Sequence, residues 1–199
     1  MITRKEMTRM LLKEGLLSWL ANNSFESVTV TSLCKASGIT RSTFYLHYSN
    51  IMEIVDDLVD DAIAYSKPGM VDNNNLQIIA NTLSAASNSV SLREAYDSIF
   101  DRLPLCQRII RHKKYLPLFL DEQISEYVLQ RIIGREKDRQ GLVIAESLGI
   151  SFDVGVSVFV FLVHGLYAVN KQYKWSQSDE WLEAQKIIFE LVYRGLQRR

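Results

Sequence analysis

Ile51, Ile54, Val55, Leu58, Val59 and Ala62 recur at i, i+3, i+4, i+7, i+8 and i+11. That spacing lines one face of an α-helix, and no strand can use it, because a strand turns its side chains over at every residue. The same period runs through most of the chain. Met7, Leu11, Leu12, Leu16, Trp19 and Leu20 set a first helix over about 3–22, closed by the turn formers Asn22-Asn23-Ser24. Phe25 follows and is expected to plug the core. Val30, Leu33 and Cys34 form the inward stripe of a short second helix, capped by Thr29 and stopped by Gly38. A third helix runs from about Thr40 to His47, and Asn50 caps the fourth. No alternating pattern competes anywhere in the 199 residues, so the fold class is all-α.

The outer face of the fourth helix carries Asp56, Asp57, Asp60 and Asp61. No His or turn chemistry accompanies them, so they read as a solvated acidic face and not as metal ligands. Tyr65 to Asn75 is the best linker in the chain. These boundaries divide it into a head over 1–50, a connecting helix over 51–66 and a helical body over 67–199. In the body, Ser91-Leu92-Arg93-Glu94 is a capping box, and Gly134 and Gly141 bracket a charged stretch expected to be an exposed connection. Ser151 starts a long apolar helix and Ser178 starts the last one.

Val154 to Asn170 is 17 residues without a charge, at the short end for a membrane span, and it contains His164, Ser157 and two glycines. A helix buried on all sides within a soluble protein is the better reading. The start of the chain lacks the long apolar run of a secretion signal. Two cysteines 72 positions apart, Cys34 and Cys106, make no disulfide framework and no zinc motif, which suits a cytoplasmic location. No nucleotide-binding loop, no HExxH and no His–carboxylate pair at helical spacing is present, so an enzyme is not expected, nor any cofactor or metal.

The formal net charge is zero, yet residues 1–50 hold six Lys/Arg against three Glu. A basic head on a mildly acidic body suits contact with an anion such as DNA. A motif lies in the same segment. Residues 28–48, VTVTSLCKASGITRSTFYLHY, read as a short helix, a tight turn through Gly38 and a second short helix. With Phe44 at the centre of the buried face, Ser42 and Leu46 point outward, Thr43 and Tyr45 lie on the flanks, and Arg41 stands at the N-terminus. Arg41 can pair with guanine, Ser42 and Thr43 are small hydrogen-bonders, and Leu46 can meet a thymine methyl. Tyr45 and His47 can donate to phosphates, as can the backbone beside Thr29.

On Thr29-Val30, Leu33, Ala36-Ser37-Gly38-Ile39, Ser42-Thr43-Phe44-Tyr45 and His47-Tyr48, followed by an amphipathic fourth helix, the chain resembles the TetR/AcrR family of transcriptional regulators. The resemblance is carried by the first 65 residues or so and is architectural beyond them. It implies a homodimer whose heads bind successive major grooves of a palindromic double-stranded DNA operator, with a small-molecule effector in the body that releases DNA. It places Arg41, Ser42, Thr43, Tyr45, Leu46 and His47 at DNA and Thr29 at a phosphate. Two positions depart from the family pattern. Ile51 stands where a phosphate-anchoring Lys is usual, and Ser32 stands where many members carry an acidic residue. A helical coactivator with the same fold, working through protein contacts without binding DNA itself, is the competing reading.

In the last helix Trp181, Ala184, Ile188, Leu191 and Val192 form one apolar stripe, while Leu182, Phe189 and Tyr193 lie elsewhere on the wheel. Two stripes suit burial on one side and a second copy on the other, so the first set is the expected dimer interface. Effector contacts are weakly signalled. Tyr127, His164 and Tyr167 are the candidates among aromatics that otherwise read as core, with His164 the first choice for a polar group in a pocket. The basic run Arg108, Arg111, His112, Lys113 and Lys114 reads as a solvated face.

Overall fold

The computed structural model describes residues 3–65, 73–86, 90–104, 107–108 and 113–196. Most of the expected linker, Cys106, Arg111 and His112 lie outside the described residues. Among the described residues ten helices follow one another: α1 (Arg4–Leu20), α2 (Val30–Ser37), α3 (Arg41–Tyr45), α4 (Ile51–Tyr65), α5 (Asn73–Ser84), α6 (Leu92–Ser98), α7 (Pro117–Leu120), α8 (Ser125–Leu148), α9 (Phe152–Gln172) and α10 (Asp179–Leu196). Short 3-10 turns occupy Phe25–Ser27 and Phe100–Arg102, and no strand occurs among the described residues.

The chain forms two compact units, Met1–Tyr65 with His112–Ile132, and Ser66–Arg111 with Ile133–Arg199. The sequence boundary near residue 66 did not anticipate that a later segment returns to the first unit. Asp121 is one reason it does. Its Oδ2 accepts the Phe25 N–H at 2.7 Å, while Oδ1 accepts from the Gln123 and Ile124 N–H groups.

In the first unit α1 packs on α2, α4 and α7. Thr3 and Glu6 cap α1 reciprocally, and Leu12, Leu16, Leu17 and Leu20 bury its inner face. Met7 and Leu11, expected on that face, are exposed, and Phe25 is half-buried. The α4 stripe is buried as spaced, with Ile63 added and Ile51 at its half-buried edge.

The acidic face of α4 is not simply solvated. Asp57 and Asp61, one turn apart, meet Arg9 and Lys13, one turn apart on α1. Asp56 accepts from the Tyr127 hydroxyl at 2.7 Å and pairs with Arg131 at 3.3 Å. Four like charges on a single helix repel unless cations from neighbouring elements interleave with them, and here they do.

In the second unit α10 packs on α5 and α6. Residues 135–140 are no exposed connection. They lie within the continuous helix α8, with Glu136 and Gln140 buried. Gly141 serves close packing, not a break: a Cβ on Gly155 of α9 would stand 2.2 Å from the Gly141 carbonyl oxygen. α9 is long and apolar enough to cross a membrane, but only 28% of its apolar window is buried, so it is not enclosed on all sides within the chain. Gly155→Ala should therefore force α8 and α9 apart and cost about 1–3 kcal/mol in urea unfolding. An unchanged midpoint would contradict the close approach.

Candidate nucleic-acid interface

The helix-turn-helix is assembled by local hydrogen bonds. Thr29 Oγ1 accepts from the Ser32 N–H at 3.0 Å, and Ser32 Oγ accepts from the Thr29 N–H at 2.9 Å. Ser32 thus completes the capping box without an acid. The Thr29 hydroxyl is itself engaged with Ser32 Oγ, which leaves its position exposed but its side chain occupied. Gly38 adopts φ 66°, a left-handed conformation that costs a glycine nothing, and the Ile39 N–H closes onto the Cys34 carbonyl at 2.9 Å. Cys34 is buried, and burial pushes its thiol pKa up, which keeps it an unreactive packing residue.

Thr40 caps α3 and gathers the first turn around its hydroxyl. It accepts from the Thr43 N–H at 3.1 Å and lies 3.0 Å from Ser42 Oγ and 2.8 Å from Thr43 Oγ1. Phe44 is fully buried and meets the Tyr45 ring edge-on at 5.2 Å. This anchor turns the rest of α3 outward. Arg41 and Ser42 are exposed, Tyr45 is 52% exposed and Leu46 is 80% exposed. Thr43 and His47 are half-buried, and His47 Nδ1 is enclosed without a hydrogen-bond partner.

A second anchor lies just past α3. Tyr48 is buried, donates its hydroxyl to Asp57 at 2.6 Å and carries the Arg9 guanidinium 5.2 Å above its ring. Arg9 Nε also donates to Asp57, at 3.1 Å. Burial, then the bond to Asp57, pushes the Tyr48 pKa well above the ordinary phenol value, so it stays a donor. Burial raises Asp57, but the donors Tyr48 and Arg9 and the charges of Arg9 and Lys13 outweigh it and hold the carboxyl below its usual range. α1, the end of α3 and α4 are thereby joined through one carboxylate.

The sequence reading missed Thr40, Tyr48 and Asp57. Thr40 was legible as an N-cap before Arg41. For Asp57 the available signal was the matched spacing of Arg9/Lys13 and Asp57/Asp61, which single-helix periodicity does not examine. Among the described residues no group of three or more His, Cys, Asp or Glu can hold a metal ion.

The remaining predicted residues scatter. Tyr127 stands on the first unit bonded to Asp56, and His164 is exposed on α9. Tyr167 is buried against Trp175, their ring centroids 5.6 Å apart. Trp181 is fully buried, edge-on to Tyr96 at 5.2 Å, so it belongs to the core of its own unit and cannot face a second copy. Gln185, which polarity rules assign outward, shares the buried face of α10 with Trp181, Leu182 and Phe189. Ala184, Ile188 and Val192 are half-buried and Leu191 is exposed. Arg108 is buried and Lys114 pairs with Glu14 at 2.6 Å, so the basic run is not a uniform solvated face.

No protein-family model matches the chain. No curated protein matches it. Among solved structures it is similar to the TetR family repressor AlkX from Dietzia sp., implicated in biodegradation of n-alkanes. The identity is 15%, over 96% of this chain and 95% of that one, with a TM-score of 0.42. At that level of likeness the functional reading rests on the residues of the head themselves.

Asp57→Asn should destabilise the protein by roughly 1–2 kcal/mol at neutral pH, the lower end reflecting solvent screening of Arg9. The folded carboxyl titrates below its unfolded value, so its contribution is present above about pH 4 and lost as pH falls through the folded pKa. The gap between parent and variant in denaturant midpoint should therefore close under acid. A gap independent of pH would mean the charge on Asp57 is irrelevant.

Proposed function

We propose that the chain is a TetR-like, cytoplasmic DNA-binding regulator acting as a homodimer, a repressor released by a small molecule. The observation that carries the reading is the outward face of α3. Tyr45 and Leu46, the last residue and the C-cap of a five-residue helix, are more than half exposed, and Phe44 and the Tyr48–Asp57–Arg9 link hold that helix in place. A chain gains nothing for its own stability from presenting Leu46 to water. Against a major groove, Arg41 reads guanine, Leu46 meets a thymine methyl, and Tyr45 donates to a phosphate. Arg4, Lys5 and Lys35 are exposed in the same head and add attraction for phosphates.

Dimerisation is supported by the open sides of α9 and α10. Val154, Val158, Phe161, Gly165 and Ala168 follow one another at spacings of four and three, and all are half-buried or exposed, Phe161 by 73%. On α10, Ile187 and Leu191 are exposed, Leu191 by 67%. Such a seam, with small residues that let backbones approach, suits a four-helix contact with a second copy. Phe161, Ile187 and Leu191 take the place of Trp181 in that interface.

The coactivator reading draws on Ile51, which offers no cation to a phosphate, and on Ser42 and Thr43, whose hydroxyls already lean on Thr40. Gel shift against fragments of the source genome over a range of salt separates the two. Arg41→Ala should weaken the tightest complex by roughly 1–3 kcal/mol and relax one base preference per half-site. Identical behaviour of parent and variant on every fragment would remove α3 from the groove. Phe161→Asp with Leu191→Asp should yield monomers in sedimentation and lose the tight complex. A surviving dimer would place the contact elsewhere.

A further inference from the structure

Gly15 and Ser37 meet where α1 packs on α2. A Cβ on Gly15 would stand 2.1 Å from Ser37 Oγ, 3.3 Å from Leu33 Cδ1 and 3.4 Å from Ser37 Cβ. While the serine keeps its hydroxyl there, α1 has no room for a side chain at this position. That hydroxyl is enclosed and has no hydrogen-bond partner. An enclosed hydroxyl left unpaired destabilises the fold, and a methyl group on each side would fill the same space without that cost. The pair therefore contributes shape and not stability.

Ser37 is also the last residue of α2, directly before the left-handed Gly38 that starts the turn into α3. The spacing between α1 and that end of α2 is thus passed on to the start of α3. The far end of α3 is tied to the same helix by a separate route, through Tyr48, Asp57 and Arg9. Arg9 and Gly15 lie roughly 9 Å apart along the axis of α1. α3 is slung between these two points, and its tilt follows the spacing that each imposes. A change of roughly 1 Å at the Gly15 end, across a helix about 7.5 Å long, turns α3 by several degrees. Arg41, at that end, moves most, and a bidentate contact to a base edge tolerates a misplacement of only about 0.5 Å.

We infer that Ser37 is a positioning residue for DNA reading: its hydroxyl, seated against the bare backbone of Gly15, is a spacer that holds the start of α3 at the height its groove contacts need. The role at DNA rests on the reading of the chain as a DNA-binding regulator, and the spacing itself does not. Helical periodicity cannot pair Gly15 with Ser37, because they lie on different helices.

The test is a cycle of Ser37→Ala, Gly15→Ala and the two together in the full-length protein. Ser37→Ala removes the spacer, Gly15→Ala overfills the gap, and the two alanines restore a contact, methyl to methyl, at 3.4 Å. The readout is affinity for a duplex selected from a randomised pool, relative to affinity for random duplex. Each single variant should lower that ratio about tenfold, the worth of one misplaced base contact, and the double variant should return it to the parent value. Ser37→Ala should nonetheless raise Tm. A contact serving stability alone would move Tm and leave the ratio untouched. Single variants with the parent ratio, a double variant as poor as the worse single, or a Ser37→Ala protein less stable than the parent would each overturn the spacer. If Gly15→Ala alone fails to fold, the other two variants decide. If the parent binds no duplex, the DNA reading falls, and the angle between α1 and α2 from residual dipolar couplings decides the spacing. That angle should change in Ser37→Ala and return in the double variant, and equal angles throughout overturn the spacer.

Discussion

The carboxylate of Asp57 is the point on which the head depends. Two donors from different helices converge on it, the Tyr48 hydroxyl from just past α3 and the Arg9 guanidinium from α1. α3 has only five residues, too short to hold its own conformation in water. Its orientation must come from outside, and Phe44 and Tyr48 supply it, one by burial and the other by a charge-assisted bond. Lys13–Asp61 repeats the contact one turn along, and Arg131 and Tyr127 complete the opposite flank of α4. A face that looks repulsive in sequence is therefore the clamp that orients the outward side of α3.

The second unit is built on a different balance. Gly141 and Gly155 let two long helices touch backbone to backbone, which fixes α9 against α8 by shape. Within its apolar core lie buried polar contacts, through Gln107, Gln185, Asn170 and the indole of Trp181. Such networks are rigid when complete and costly when not, and this one stops at two amide groups and a phenol. The apolar surface left over on α9 and α10 faces outward at coiled-coil spacing, where a second copy can cover it. Buried packing and exposed apolar surface thus lie on different sides of the same two helices.

The fold class and the helix-turn-helix were legible because they follow local rules. The Ile51–Ala62 stripe, the capping residues Thr29 and Ser91, and the left-handed Gly38 are each set by neighbours within four or five positions. What the sequence hid depends on which helix lies against which. Met7 and Leu11 satisfy the helical period yet point to solvent, since α1 has one buried face narrower than its apolar stripe. Glycines at 134 and 141 look like breaks when read along the chain, but α8 runs through both. Trp181 shares a helical stripe with Ala184, Ile188, Leu191 and Val192, yet it is buried in its own unit on one face with Gln185, whose hydrogen-bond partner Gln107 lies 78 positions away. The return of residues 112–132 to the first unit draws in part on Asp121 and Phe25, a pairing at a separation of 96 that no periodicity encodes.

The central claim is that the head presents a DNA-reading surface in a two-fold dimer. Selection of randomised duplex DNA by the purified protein, with sequencing of the survivors, tests it most directly. The account predicts an enriched palindrome with half-sites about one helical turn apart or somewhat more. Failure to enrich any sequence, at salt low enough for a basic head to hold phosphates, would contradict it and turn attention to protein partners of the exposed α3 face.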